Sequence, residues 1–210
     1  MLLAFVISFL ASLLALICSL WIEHKKRPEI EIAASEANNV DHTYQFPGPH
    51  EGERWKFFRI AVKNKTFSWP FSIFLVRQTA DNCRAMLTFY KEAYANPIFT
   101  MRGRWISTPE LPLLTTGHDA LIKTLYPDPV TISAGEKELL DVIVKNGHGK
   151  EAYGWNNEAY FNNWMTPAYR LDPGNYLVKV AVSTQNGITI KKILKLIVAA
   201  DIQGTRLDLA

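Results

Sequence analysis

Residues 171–198 read LDPGNYLVKVAVSTQNGITIKKILKLIV, and the way this segment pairs with itself decides the fold. Tyr176, Val178, Val180 and Val182 alternate onto one face of a strand. After the turn Ile188, Ile190, Leu194, Leu196 and Val198 form a second apolar face, with Lys192 as the exception. Asn186-Gly187 invites a two-residue turn, but that turn sets Val182 opposite Lys191 and Val178 opposite Lys195. A three-residue loop, Gln185-Asn186-Gly187 with Gly187 left-handed, instead pairs Val182 with Ile190, Val178 with Leu194 and Tyr176 with Leu196. A one-residue slip exchanges the faces of a strand, so the apolar pattern selects the three-residue loop.

The same alternation recurs upstream. Glu29-Ile30-Glu31-Ile32 begins a strand after Pro28, and residues 33–54 are polar and read as a loop. In KFFRIAVKN (56–64) Phe58, Ile60 and Val62 share the inner face, with Phe57, Arg59, Ala61 and Lys63 on the other. In CRAMLTFY (83–90) Cys83, Ala85, Leu87 and Phe89 point inward, which makes Cys83 a buried small hydrophobe rather than a reactive thiol. RGRWIS (102–107), PVTIS (129–133) and ELLDVIVKN (138–146) complete the set. In the last of these Leu140, Val142 and Val144 are expected inside, with Asp141 and Lys145 outside. About eight short strands without crossover helices indicate an all-β, immunoglobulin-like antiparallel sandwich over residues 29–200, with 201–210 as a C-terminal tail.

The sandwich is preceded by MLLAFVISFLASLLALICSLWI (1–22), which carries no charged side chain. At about 1.5 Å per residue it spans a hydrocarbon core of roughly 30 Å. No basic residue precedes it and Leu20-Trp21-Ile22 is too bulky for a cleavage site, so an uncleaved single-pass anchor is expected. Trp21 and the cluster Lys25, Lys26 and Arg27, within a basic linker at 23–28, are the expected interface residues. The positive-inside rule then places the domain on the cytoplasmic side. The whole chain has 23 Lys and Arg against 20 Asp and Glu. Residues 1–27 hold three of the basic and one of the acidic residues, leaving 20 against 19 beyond them. That balance excludes a nucleic-acid binder and leaves the lipid bilayer and a protein as the expected partners.

From Arg59 to Val198 the order of signals resembles bacterial immunoglobulin-like domains of the CARDB type. The carrying segments are IAVKNK (60–65), TADNCRAMLTF (79–89), VTISAGEKELLDVIV (130–144) and LDPGNYLVKVAV (171–182). The first is similar to that family's strand ending in Val-x-Asn. The last is similar to its Pro-Gly-x-Tyr entry to a late strand, in which Gly174 permits the turn and Tyr176 packs inward. The anchor followed by KKRPEIEI (25–32) also resembles prokaryotic single-pass proteins. The resemblance implies a fold and no catalytic residue. The chain departs from it in long insertions at 91–128 and 146–170.

Three segments are candidate sites. YGWNNEAYFNNW (153–164) offers Trp155, Tyr160 and Trp164 as stacking faces and Asn156, Asn157, Asn162 and Asn163 as amide donors and acceptors, suited to a sugar or an extended peptide. The competing reading is a lid: Asn156 or Asn157 caps a short helical turn whose aromatics close an open end of the sandwich. TFSWPFSIFLV (66–76) is an extra edge strand or a bend packed on the core, or else an interfacial loop with Phe67, Trp69 and Phe71 in the bilayer, or an oligomer contact. Arg102 and Arg104 in RGRW are either an anion clamp or solvated charges beside a buried Trp105. Asn64-Lys65-Thr66 is formally a glycosylation acceptor. The five histidines are scattered, and no HExxH, GxSxG, CxxC or phosphate-loop pattern occurs. No catalytic residue, metal or cofactor is expected. The function expected is that of a non-catalytic binding or scaffold protein at the cytoplasmic membrane surface. Its alternative is an extracytoplasmic carbohydrate- or peptide-binding domain using the 153–164 loop.

Overall fold

The computed structural model describes residues 2–44, 51–92, 96–108, 126–161 and 164–210. Helix α1 (Leu2–Lys26) is followed by two antiparallel sheets packed face to face. At 25 residues α1 is about 37 Å long. Its side chains from Val6 to Trp21 are all exposed, so it is a helix apolar and long enough to cross a membrane. The helix runs through Lys25 and Lys26 of the basic cluster expected as a linker and stops one residue short of Pro28, because proline cannot continue it.

The first sheet holds β1 (Ile30–Ala34), β2 (Val40–Thr43), β3 (Arg54–Asn64), β7 (Lys137–Asn146), β8 (Ala152–Gly154) and β9 (Arg170–Leu171), in the order β1-β3-β7-β8-β9. β1 and β2 lie end to end along one edge of β3, which they pair at 60–64 and 54–57. β2 falls inside the stretch expected to be a loop; its four residues are all exposed, so no apolar alternation marked it. The second sheet holds β4 (Ala80–Lys91), β5 (Pro97–Arg102), β6 (Val130–Ile132), β10 (Gly174–Ser183), β11 (Thr189–Val198) and β12 (Arg206–Leu209), in the order β12-β11-β10-β4-β5, with β6 beside β4. Pairing β3 with β7 in one sheet and β4, β10 and β11 in the other is the strand arrangement of immunoglobulin-like sandwiches. Tyr176 adds the tyrosine corner of such folds: it is buried at the start of β10 and its hydroxyl donates to the Asp172 carbonyl at 2.6 Å.

The β10–β11 hairpin has the expected register, with Val182 opposite Ile190, Val178 opposite Leu194 and Tyr176 opposite Leu196. Gly187 takes φ +76°, which a side chain would resist, and its N–H donates to the Thr184 carbonyl. Phe58, Ile60, Val62 and Val142 of the first sheet pack on Leu87, Phe89, Val178, Val180 and Leu194 of the second. Cys83 is fully buried among them, as its position on the apolar face predicts, and burial pushes its thiol up to about 11.

Four expectations about strands are corrected. There are twelve strands among the described residues rather than eight. Residues 201–210 are no free tail, because β12 pairs with β11 and buries Leu207. The strand expected at 102–107 lies instead at Pro97–Arg102, after which the chain leaves the second sheet. Beyond Gly103, Asp141 N–H donates to the Arg104 carbonyl and Ile106 N–H to the Leu139 carbonyl, so this segment joins β7 in the first sheet. A Cβ on Gly103 would lie 2.8 Å from Ala85 Cβ and 2.8 Å from Leu140 Cδ1, so only glycine fits the crossing. Finally, β7 is buried on both faces. A register shift beside Phe58 places Ile143 opposite it and Asp141 opposite Arg59, leaving Val142 as the extra residue of a bulge. The bulge reverses the alternation, so Val144 turns to the outer face, opposite Phe57, and Lys145 becomes buried.

Candidate functional site

The outer face of the first sheet carries a second apolar cluster, built from Trp55, Phe57, Val144, Trp155 and Ala159. The segment after β8 forms it. Asn156 Oδ1 accepts from Ala159 N–H at 2.9 Å, capping the short helix α2 (Asn157–Phe161) as its side chain allows. Tyr169 donates from its hydroxyl to Glu158 and so ties α2 to the start of β9; burial and that carboxylate push the phenol up to about 12. Trp164 sits at the centre, with ring centroids 5.1 to 5.4 Å from Tyr44, Trp55, Phe57 and Trp155, all edge to face. It holds φ +68°, a strained conformation for a bulky side chain, and edge-to-face contacts of about 0.5–1.5 kcal/mol each offset that cost.

This arrangement answers one question and corrects another. Trp155, Asn156 and Asn157 are 2%, 5% and 4% exposed, so they are parts of a cover rather than an open platform. The cover lies over the outer face of the first sheet and not at an open end of the sandwich, because Phe57 and Val144 project away from the main core. Asn162 and Asn163 lie outside the described residues.

Beneath the cover lies a charged group that spacing did not reveal. Asp141 is fully buried; Arg59 Nε donates to its Oδ1 at 2.8 Å and Arg104 Nη1 to its Oδ2 at 3.1 Å. Burial pushes the Asp141 carboxyl up, and the two guanidiniums oppose that push. Of the two readings of RGRW, no clamp of Arg102 with Arg104 forms, and Trp105 is buried as the other reading had it, although Arg104 is buried as well. Arg104 is committed to Asp141, whereas Arg102, on β5 before the crossing, stacks 3.8 Å over the Tyr126 ring. Next to the trio a cavity of about 290 Å³ is lined by Val40, His42, Phe57, Arg59, Arg104, Trp155, Tyr160 and Trp164. Lys145, also expected outside, is buried and donates to the carbonyls of Gly149, Lys150 and Glu151, closing the β7–β8 turn. Burial pushes its ammonium down from the ordinary lysine range. The bulge turns Lys145 inward, whereas Asp141 keeps its place on the outer face opposite Arg59 and is buried there beneath the cover.

The other candidate surface lies at the end of α1. Arg77 Nη1 donates to the carbonyls of Lys25 and Arg27 at 3.2 Å each, and Gln78 N–H to that of Lys26 at 2.6 Å. These are carbonyls a helix C-terminus leaves without internal partners, and a cation there also suits the helix dipole. Arg77 further pairs with Glu29 and stacks 4.4 Å over the Phe67 ring. The segment 67–77 is therefore a loop closed at its neck against the end of α1, with a short 3₁₀ turn at Phe71–Ile73 and no strand. Trp69 (79% exposed), Phe71, Ile73, Phe74 (81%) and Val76 all project from it. Phe67, expected with them, lies half-buried under Arg77. Of the other expected interface residues, Lys25 sits 5.7 Å over the Trp21 ring and Lys26 pairs with Glu23 at 3.2 Å.

Asn64 explains the strand-end motif. It is fully buried, its Oδ1 accepts from Glu29 N–H at 3.2 Å, and its Nδ2 donates to the carbonyls of Gln78 and Ile132 at 2.9 and 3.1 Å. It thereby fastens the start of β1, the end of the loop and β6 to one another, and as an acceptor for glycosylation it is inaccessible in the folded chain. Among the described residues no group of three or more His, Cys, Asp or Glu side chains is gathered to hold a metal. Compared with protein-family models, curated proteins and solved structures, the chain matches none.

Proposed function

We propose that this protein is a single-pass, non-catalytic binding domain that rests directly on the bilayer it is anchored in, on the cytoplasmic side. The observation that carries this is the Arg77 junction: one side chain caps the anchor helix and closes a loop that presents five large apolar side chains. A solvated loop of that composition is costly, and its junction lies at the helix end that the basic cluster would hold at the headgroups. The cytoplasmic side follows from Lys25, Lys26 and Arg27 by the positive-inside rule. Membership of the CARDB-type family is part of the same proposal, supported by the Asn64 and Tyr176 motifs in their structural places. A protein partner recruited through the 146–170 loop or the 66–76 loop completes it. The extracytoplasmic sugar- or peptide-binding alternative draws less support, because Trp155 offers no exposed ring to stack on.

The test uses the full chain in liposomes, with Cys18→Ser and a single new cysteine at Phe74 carrying an environment-sensitive fluorophore. Quenching by spin-labelled lipid, but not at a matched Ile98→Cys site on β5, is the expected result. Quenching of the Phe74 site by aqueous iodide alone would sink the membrane-resting reading. A membrane-impermeant label applied to cells before and after permeabilisation decides the side.

A further inference from the structure

We infer that the cavity beside Asp141 is a binding site for a small organic carboxylate with a ring-sized apolar body. The inference goes beyond the membrane-resting reading, since it concerns the outer face of the first sheet and holds whichever side of a bilayer the domain occupies.

The argument begins with charge. Arg59 and Arg104 share one carboxylate, so with Asp141 ionised the trio carries one net positive charge. Asp141 is the only side chain among the described residues to which either guanidinium hydrogen-bonds. Each guanidinium has five N–H donors in a planar fork, and Asp141 takes one nitrogen from each. Asp141 does not line the cavity, whereas both arginines do. An anion entering that space meets the two cations first and the aspartate only behind them. The arginine side chains are held in place, 15% and 10% exposed, so their orientation is set before a ligand arrives.

The walls specify the rest of the ligand. Phe57, Trp155, Tyr160 and Trp164 make most of the cavity aromatic, and His42 and Val40 form its exposed margin. The Trp155 Nε1–H, buried and without a partner among the described residues, adds a donor to a site whose described lining holds no carboxylate. About 290 Å³ sits at the small end of pockets that enclose organic ligands, roughly 300–1,000 Å³. A carboxylate neutralises the single net charge, whereas a phosphate monoester dianion overshoots it. Guanidinium–carboxylate recognition of this kind is directional as well as strong.

The experiment titrates the full chain, in uncharged maltoside micelles, with benzoate, benzamide and phenyl phosphate, reading Trp fluorescence and calorimetric heat. Saturable benzoate binding is expected, with benzamide at least about tenfold weaker, since it keeps the ring and loses the charge. Arg59→Gln should weaken benzoate by about tenfold or more. Should that variant fail to fold, Val40→Trp serves, because it fills the cavity from its margin and leaves the Arg–Asp–Arg trio intact. Equal binding of benzamide, no saturation by ~10 mM benzoate, or unchanged binding in Val40→Trp would each overturn the inference. Tighter binding of phenyl phosphate than of benzoate would overturn the assignment to carboxylates.

Discussion

Replacing Asp141 by Asn tests how the outer face of the first sheet is held together. The substitution keeps shape and volume, so no cavity arises, but it removes the charge that the buried Arg104 and the partly buried Arg59 share at 3.1 and 2.8 Å. The amide presents one acceptor oxygen to one arginine and an NH2 donor to the other, which leaves donor facing donor. Breaking a buried ion pair by deleting one partner costs about 3–5 kcal/mol, more than the pair itself contributes, because the remaining charge stays desolvated. One retained acceptor places the expected loss near the lower part of that range, about 3–4 kcal/mol. For a domain of this size each kcal/mol moves Tm by about 2–4 °C, so the midpoint should fall by roughly 6–16 °C. The assay is thermal unfolding of the full chain in micelles, followed by near-ultraviolet circular dichroism, with urea unfolding to confirm an unchanged m-value. The triple change Asp141→Leu, Arg59→Met and Arg104→Met should recover most of the loss, since a hydrophobic replacement of a whole buried network is close to neutral. A loss under about 1 kcal/mol for Asp141→Asn would mean that water reaches the guanidiniums freely, and the reasoning about a desolvated trio would fail.

Two further outcomes are expected. Gly103→Ala puts a Cβ 2.8 Å from both Ala85 Cβ and Leu140 Cδ1 and should cost about 1–3 kcal/mol of overpacking; unfolding midpoints check it, and Ala85→Gly in the same chain should return part of the loss. In a Cys18→Ser background, Cys83 should resist maleimide at pH 8 in the folded chain and react within minutes in urea. A thiol held at about 11 is only about one part in a thousand thiolate at that pH, and it is also out of reach; rapid labelling of the folded chain would contradict its place in the core.

The hairpin was legible because a strand has a strict period of two and a one-residue slip changes every facing pair. Tyr176, Val178 and Val182 admit one register only, and that register is the one found. Cys83 and the Asn156 cap were legible for the same reason, since each is a local consequence of neighbours within four residues. The trio was not. Arg104 reaches Asp141 only because the chain changes sheets at Gly103, and nothing in RGRW announces that crossing. The inside-outside assignment of β7 failed at Val142, where one bulged residue reverses the faces and turns Val144 outward. Counting by twos presumes an unbroken ladder. The 66–76 loop was half legible: its apolar composition was plain, whereas its attachment to α1 depends on Arg77, a residue just beyond the apolar stretch.

The join between α1 and the sandwich has a mechanical consequence. The helix ends at Lys26 and β1 begins at Ile30, with Pro28 buried between them and Arg77 and Gln78 bonded to the last helical carbonyls. These bonds key the sandwich to α1 as a wheel is keyed to an axle. In a bilayer, a turn of the helix about its own axis becomes the same turn of the domain. One residue added before the join would rotate the wheel by about 100° and raise it by about 1.5 Å. Were α1 to lie in lipid, a helix packed against it there would choose which side of the domain meets a neighbour.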